Sequence, residues 1–212
     1  MKLMLKLVIV GCFISCGKAD KVESEIAKIE VDLRVKRFDS AFAKSTPDDL
    51  PKLKNEYPYL FPAQFSDSLW ISRMTDTLQQ ELAAEVLKHF PELNREKDEF
   101  YALFQHARYY FPDFKPPKLI TLTADVDYKN KVIYADSLLL IGLDTYLGES
   151  HYFYKGIQQY LKKNFTRSQI VVDAALQIAK ARTPYPQDRS FLAQMVFYGK
   201  LLYVKDMFLP DK

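Results

Sequence analysis

Histidine, cysteine and glycine are scarce in this chain: three, two and six among 212 residues. Both cysteines fall in one N-terminal stretch, VIVGCFISCGKADK, so no disulfide framework can hold the remainder of the chain together. A C-x-x-x-C pair with no further cysteine and no nearby histidine also lacks the partners of a structural zinc site. The few glycines form no G-x-G-x-x-G fingerprint and no phosphate-binding loop, and neither G-x-S-x-G nor H-E-x-x-H occurs. Charge of one sign is not in excess, since 30 basic residues are interspersed with 27 acidic ones. That balance excludes a nucleic-acid-binding patch and an acidic tail. There is no internal repeat and no low-complexity run. What the chain has in quantity is apolar and aromatic residues: 48% hydrophobic, with 14 Tyr and 15 Phe. This is enough for one compact domain with a substantial core, and a count that also suits a sugar or peptide groove.

The N-terminus has the layout of an export signal. Lys2 and Lys6 precede an apolar stretch, Leu7 to Ile14, far short of the ~20 residues a bilayer span requires. An A-x-A cleavage site is missing. Instead a small residue directly precedes a cysteine twice, at Gly11-Cys12 and Ser15-Cys16. Both resemble the bacterial lipobox, whose cysteine is fatty-acylated (palmitate-type) and becomes the new N-terminus. Ile9 makes the first match closer to the usual pattern. The second leaves a fuller apolar region and is followed at once by polar residues, so Cys16 is the expected lipidation site and Cys12 the alternative. The expected organisation is a lipoprotein signal peptide at 1–15, a polar tether at 16–29 and one globular domain at 30–212. An uncleaved anchor helix is the competing reading of the first segment.

Periodicity gives the body an α+β class, mostly helical with a small antiparallel sheet. Residues 31–37 alternate apolar and charged as a half-buried strand, ended by Asp39, which caps a short helical turn. Thr46-Pro47-Asp48-Asp49 reads as a helix start, with Leu50, Leu53 and Tyr57 on its buried face. Asp76 opens a helix over 77–89 with Leu78, Leu82, Val86 and Phe90 inward, and Pro91 stops it. Asn94 caps a helix over 95–110 that buries Phe100, Leu103, Phe104 and Ala107. Strands follow at 119–123 and 131–135, joined as a hairpin through 128–131. The continuous apolar run 137–143 fits an inner strand covered on both faces. Helices are expected over 154–163, over 169–181 behind Ser168, and over 191–207 behind Ser190 with Leu192, Met195, Val196, Leu202 and Tyr203 on one face.

Candidate chemical groups are few. Glu81, Glu85 and His89 share one helix stripe, as a solvated face or as part of a metal site needing a further ligand from another element. His106 beside an apolar face reads as a satisfied, partly buried imidazole. His151 lies in a loop where it could pair with Asp144 or Glu149, but without a Ser or Cys nucleophile. Asp144, at the end of the buried strand, is expected to cap the turn 144–148 through an Asx-type bond, with a role as a site acid the alternative. Tyr152, Phe153 and Tyr154, and the aromatics from Tyr57 to Phe61, fit either core packing or a binding surface. None of these patterns argues for catalysis, so no enzyme activity, metal or cofactor is expected.

Several ordered segments together resemble the gliding-motility lipoproteins of the GldB family. They are the lipobox, VKRFD at 35–39, LKNEYPYLFP at 53–62, IGLDTYLG at 141–148, LAQMVFYGKLLY at 192–203 and Leu209-Pro210. The resemblance implies a cell-envelope lipoprotein of Bacteroidetes-type bacteria, lipid-anchored at the outer membrane and facing the periplasm. Its partners would be the bilayer and the proteins of the gliding and secretion machinery, with no nucleic acid. Members of that family usually continue beyond the Leu-Pro pair. The resemblance therefore implies a C-terminally truncated chain, with apolar residues of 191–208 left uncovered. A more distant likeness to zinc peptidases implies a degenerate zincin-like arrangement. Where those enzymes carry H-E-x-x-H, the helix 169–181 has only Asp173, and Phe197-Tyr198-Gly199 on the next helix supplies no Glu. The first expectation is a non-enzymatic motility lipoprotein acting by protein contact. The alternatives are a zincin-like peptidase or pseudoenzyme, and a peptide- or glycan-binding envelope lipoprotein.

Overall fold

The computed structural model describes residues 17–210 other than 136, with side chains from residue 21 onward. Cys12, Cys16 and the signal segment 1–15 lie outside the described residues. The sheet is built around the most apolar run of the sequence. Strand β4 (Leu138–Gly142) lies between β2 (Lys118–Leu122), to which it is parallel, and β3 (Val132–Ala135), to which it is antiparallel. Strand β1 (Val35–Arg37) adds in parallel on the far side of β2, giving the order β1-β2-β4-β3. Because side chains alternate across a strand, the sheet feeds two cores. Leu119, Leu139, Ile141 and Val132 enter the larger one. Ile120, Leu122, Leu138 and Leu140 face the smaller one.

Helices cover both faces. Helices α5 (Thr77–His89), α6 (Asn94–Tyr110) and α8 (Gln169–Arg182) supply most of the larger core, through Leu82, Val86, Phe100, Leu103, Phe104 and the small-residue face of α8. Helices α2 (Phe38–Ala43), α3 (Leu50–Glu56) and α4 (Asp67–Thr75) cover the smaller core through Phe38, Leu50, Leu53 and Met74. The start of α3 follows a 3-10 turn at Pro47–Asp49 capped as expected, with the Asp49 carboxylate accepting from the backbone N–H and the hydroxyl of Thr46, each at 2.9 Å. Asp76 caps α5 by accepting the Gln79 N–H at 2.9 Å.

The α+β class, the dominance of helix and the inner position of 138–142 agree with the sequence reading. The sheet, however, is mixed, with only β3–β4 antiparallel. The expected β2–β3 hairpin does not form. The fully apolar β4 takes the central place, where both neighbours and both faces shield it, and β3, exposed on one face, becomes the edge. Residues 17–26, read as part of a solvated tether, form helix α1 (Gly17–Ile26), which docks on α6. Ile26 is buried there, and Gln105 Nε2 donates to the Ile29 carbonyl at 2.8 Å. Helix α4 was not foreseen, since only Met74 of its apolar residues is buried and no clean period shows. The stretch 154–163 is not one helix. A 3-10 turn at Tyr152–Tyr154 and the short α7 (Gln159–Lys162) flank Gly156, whose φ of 93° breaks the run. Leu78 is exposed rather than core. Helix α9 (Phe191–Met207) has the expected bounds and its Ser190 cap, yet Leu192, Met195, Val196, Leu202 and Tyr203 are exposed and Leu201 is its buried residue.

Asp39 does not cap a turn. It lies inside the first turn of α2, 3% exposed, and accepts from Arg37 Nη2 at 2.6 Å and from the Thr121 hydroxyl, joining β1, α2 and β2. Arg37 also donates to the Phe90 carbonyl at 2.8 Å. Arg37→Ala strands the Asp39 carboxylate in the interior and should cost about 3–5 kcal/mol in urea unfolding, whereas Arg37→Leu with Asp39→Leu should recover most of that loss.

Candidate functional site

The connection that leaves β4 carries four residues singled out from the sequence: Asp144, His151, Tyr152 and Tyr154. They do not form one cluster. Asp144 and Tyr154 are interior, whereas His151 and Tyr152 face α5.

Asp144 is fully buried in the 3-10 turn Leu143–Thr145. Its carboxylate reaches the β2–β3 connection, accepting the Ala124 N–H at 3.0 Å and the Val126 N–H at 2.6 Å. These two bonds hold a turn in which Asp125 and Val126 both have left-handed backbones, with φ of 55° and 56°. For a β-branched valine this is an outlier that the surroundings must impose. Gly142 gives the strand end close packing. A Cβ there would lie 3.3 Å from both Ala124 Cβ and Asp144 Oδ1. On the outer side, Asp125 receives Arg73 Nη2 at 2.8 Å and Gln79 Nε2 at 2.8 Å, which ties the turn to α4 and α5. The neighbouring groove of about 270 Å³ is lined by Asp39, Arg73 and Gln79, whose polar groups are thus already engaged.

Tyr154, also fully buried, locks the rest of the loop. Its hydroxyl donates to the Asp144 carbonyl at 2.7 Å and accepts the Leu147 N–H at 2.9 Å. Burial raises its pKa well above that of a free phenol, so it acts as a neutral donor. Between these anchors, Gly148 turns the chain at φ 107° and donates to the Phe165 carbonyl at 2.8 Å.

Held this way, the loop lays His151 and Tyr152 on the Glu81, Glu85 and His89 stripe of α5. His151 Nε2 is 3.1 Å from Glu85 Oε2, and the Tyr152 hydroxyl donates to Glu81 at 2.7 Å. The partner of His151 is therefore neither Asp144 nor Glu149. His89 Nδ1 is 2.9 Å from the Glu85 carbonyl and 3.7 Å from its Oε2, and the two imidazoles meet edge to face at 5.3 Å. Hydrogen bonds from His151 and then Lys88 lower the Glu85 pKa, keeping it a carboxylate. The bond to Glu81 raises the Tyr152 phenol to about 12. Among the described residues, Glu85, His89 and His151 are the group able to hold a metal ion.

The aromatic segments divide between core and surface. Tyr57 and Phe61 are core, as is Tyr154, while Tyr152 is 53% exposed. His106 is the satisfied imidazole expected, with Nδ1 2.8 Å from the Ala102 carbonyl and Nε2 3.3 Å from Glu23. Asp173 on α8 accepts from the Lys131 ammonium and, at 2.8 Å, from the Tyr146 hydroxyl. The left-handed turn at 125–126 was not legible in the sequence: Asp tolerates a positive φ without demanding it, and a β-branched Val argues against one. Glu85 and His89 were visible by spacing, but their partner His151 was not.

Burial pushes the Asp144 carboxyl up to about 6, against the N–H groups of Val126 and Ala124, which pull it down. Between about pH 4 and pH 6 the folded chain thus binds a proton that the unfolded chain has released, and stability falls as pH rises through that window. Thermal melts should show the wild type losing stability relative to Asp144→Asn over that range, with the difference constant above it.

The profile of the family described as gliding motility protein GldB matches residues 19–212, nearly the whole chain. Neither a curated protein nor a solved structure matches it.

Proposed function

The chain belongs to the GldB family of gliding motility proteins, and on that footing we propose that it is a non-enzymatic cell-envelope lipoprotein that supports gliding and the associated protein secretion by protein contact. In this reading Cys16 carries the acyl anchor, with Cys12 as the alternative, and the domain faces the periplasm from the outer membrane. The observation that carries it is the family match along nearly the whole length, joined to the lipobox pattern that precedes the matched residues.

Two further features support it. The acid and base groups of the candidate site are engaged with one another or with backbone, an arrangement suited to holding a shape. The outer face of α9 offers Leu192, Met195, Tyr198 and Leu202 to solvent, an apolar surface of the kind that a protein partner, or the further chain the family resemblance implies, covers.

Metabolic labelling with a fatty-acid probe should survive Cys12→Ser and vanish in Cys16→Ser, and the reverse pattern would move the anchor to Cys12. Affinity purification of the lipidated full chain from envelope membranes should enrich gliding or secretion components. That enrichment should drop in Leu192→Glu with Leu202→Glu. Recovery of none of those components from the wild-type chain would refute the contact mechanism.

A further inference from the structure

Glu85 and His89 stand one turn apart on α5, and the loop after β4 brings His151 against them from a separate element. One donor atom from each residue lies within 4.8 Å of the others. An ion with Zn–N and Zn–O bonds of about 2.0–2.2 Å at tetrahedral angles needs its ligand atoms roughly 3.3–3.5 Å apart. The two separations that involve Glu85 bracket that spacing: 3.1 Å from His151 Nε2 to Glu85 Oε2 and 3.7 Å from His89 Nδ1 to the same oxygen. The three side chains differ usefully in exposure. His151 is 7% exposed and pinned, with the Tyr152 ring stacked on it at 4.6 Å, while His89 is 33% exposed and opens the cluster to solvent.

We propose that Glu85, His89 and His151 form a site for a single divalent transition-metal ion of the zinc type, with the fourth position left to water. Two imidazoles and a carboxylate are the donor set for such an ion, whereas calcium and magnesium take oxygen ligands throughout. Capture costs three existing contacts. The ion takes the place of the proton that His151 Nε2 donates to Glu85; that proton moves through solvent to Nδ1, so the ring stays neutral and gives up the long 3.4 Å contact in which Nδ1 accepts the Phe153 N–H. His89 Nδ1 likewise leaves the Glu85 carbonyl and turns toward the carboxylate. The bound ion would stitch residues 148–154 to α5 beside the exposed Tyr152 ring. This site does not depend on the proposed motility role, and metal binding is read without any partner protein.

The test uses the full chain carrying Cys12→Ser and Cys16→Ser, because those thiols would bind zinc themselves. Equilibrium dialysis against zinc should give one equivalent per chain. Cobalt in its place should give visible d–d absorption with no thiolate charge-transfer band. His89→Gln and His151→Gln should each weaken zinc binding by at least about tenfold, while Tyr152→Phe leaves it unchanged. His89→Gln, on an exposed helix face, keeps the test valid if His151→Gln disturbs the loop, and circular dichroism reports folding of each variant. No stoichiometric zinc in the cysteine-free chain, or binding undiminished in His89→Gln, would overturn the assignment.

Discussion

A single buried carboxylate at the end of β4 organises the end of this fold that carries the candidate site. Asp144 accepts two backbone N–H groups from the β2–β3 connection and offers its own carbonyl to Tyr154. The first pair of bonds holds Asp125 and Val126 in left-handed conformations that cost of the order of 1–3 kcal/mol each. The second, with the Leu147 N–H bound to the same phenol, fixes the course of the loop that follows. Both faces of the sheet are covered by helices, so its strand ends are where polar groups must find partners inside the protein. Asp144 and Tyr154 supply them, and each bond also positions something further out. Asp125 is presented to Arg73 and Gln79, and His151 and Tyr152 are laid on α5.

Much of this architecture was legible because local signals decide it. Asp76 with Leu82, Val86 and Phe90 announced α5, Ser190 announced α9, and the unbroken run through Leu139 and Ile141 announced an inner strand. What could not be read were choices made between distant segments. Nothing local says that β4 will displace β3 from β2. Spacing placed Glu85 and His89 on one helix stripe, but the arrival of His151 depends on the loop path that Asp144 and Tyr154 set from the interior. Asp39 and Asp144 both looked like caps, since a lone acid at the end of a strand usually bonds locally. In each case donors from a distant segment decided the outcome: Thr121, beside the neighbouring Arg37, for one, and the left-handed turn for the other. Helix α9 shows the opposite limit. Its apolar content was evident, yet which residues face inward is settled by α8 and the core, and most of its large side chains are left outside.

Membership in the GldB family and the lipobox pattern direct the functional reading toward the envelope, and the geometry supports a protein that works by shape. Its titratable groups are spent on one another: Tyr152 on Glu81, His151 on Glu85, Asp173 on Lys131 and Tyr146. Exposed apolar side chains of α9 and the exposed Tyr152 ring offer surface for contact. On the contact role proposed above, function rests on surfaces, and those near α5 rest in turn on the buried Asp144–Tyr154 link.

Amide hydrogen exchange in Tyr154→Phe tests that dependence most directly. If the link holds the loop, exchange should accelerate together at Leu147 and across 148–153, while the core amides of α8 from Ile170 to Ala179 keep their protection. Acceleration confined to the Leu147 amide, with His151 and Tyr152 still held on α5, would contradict the account.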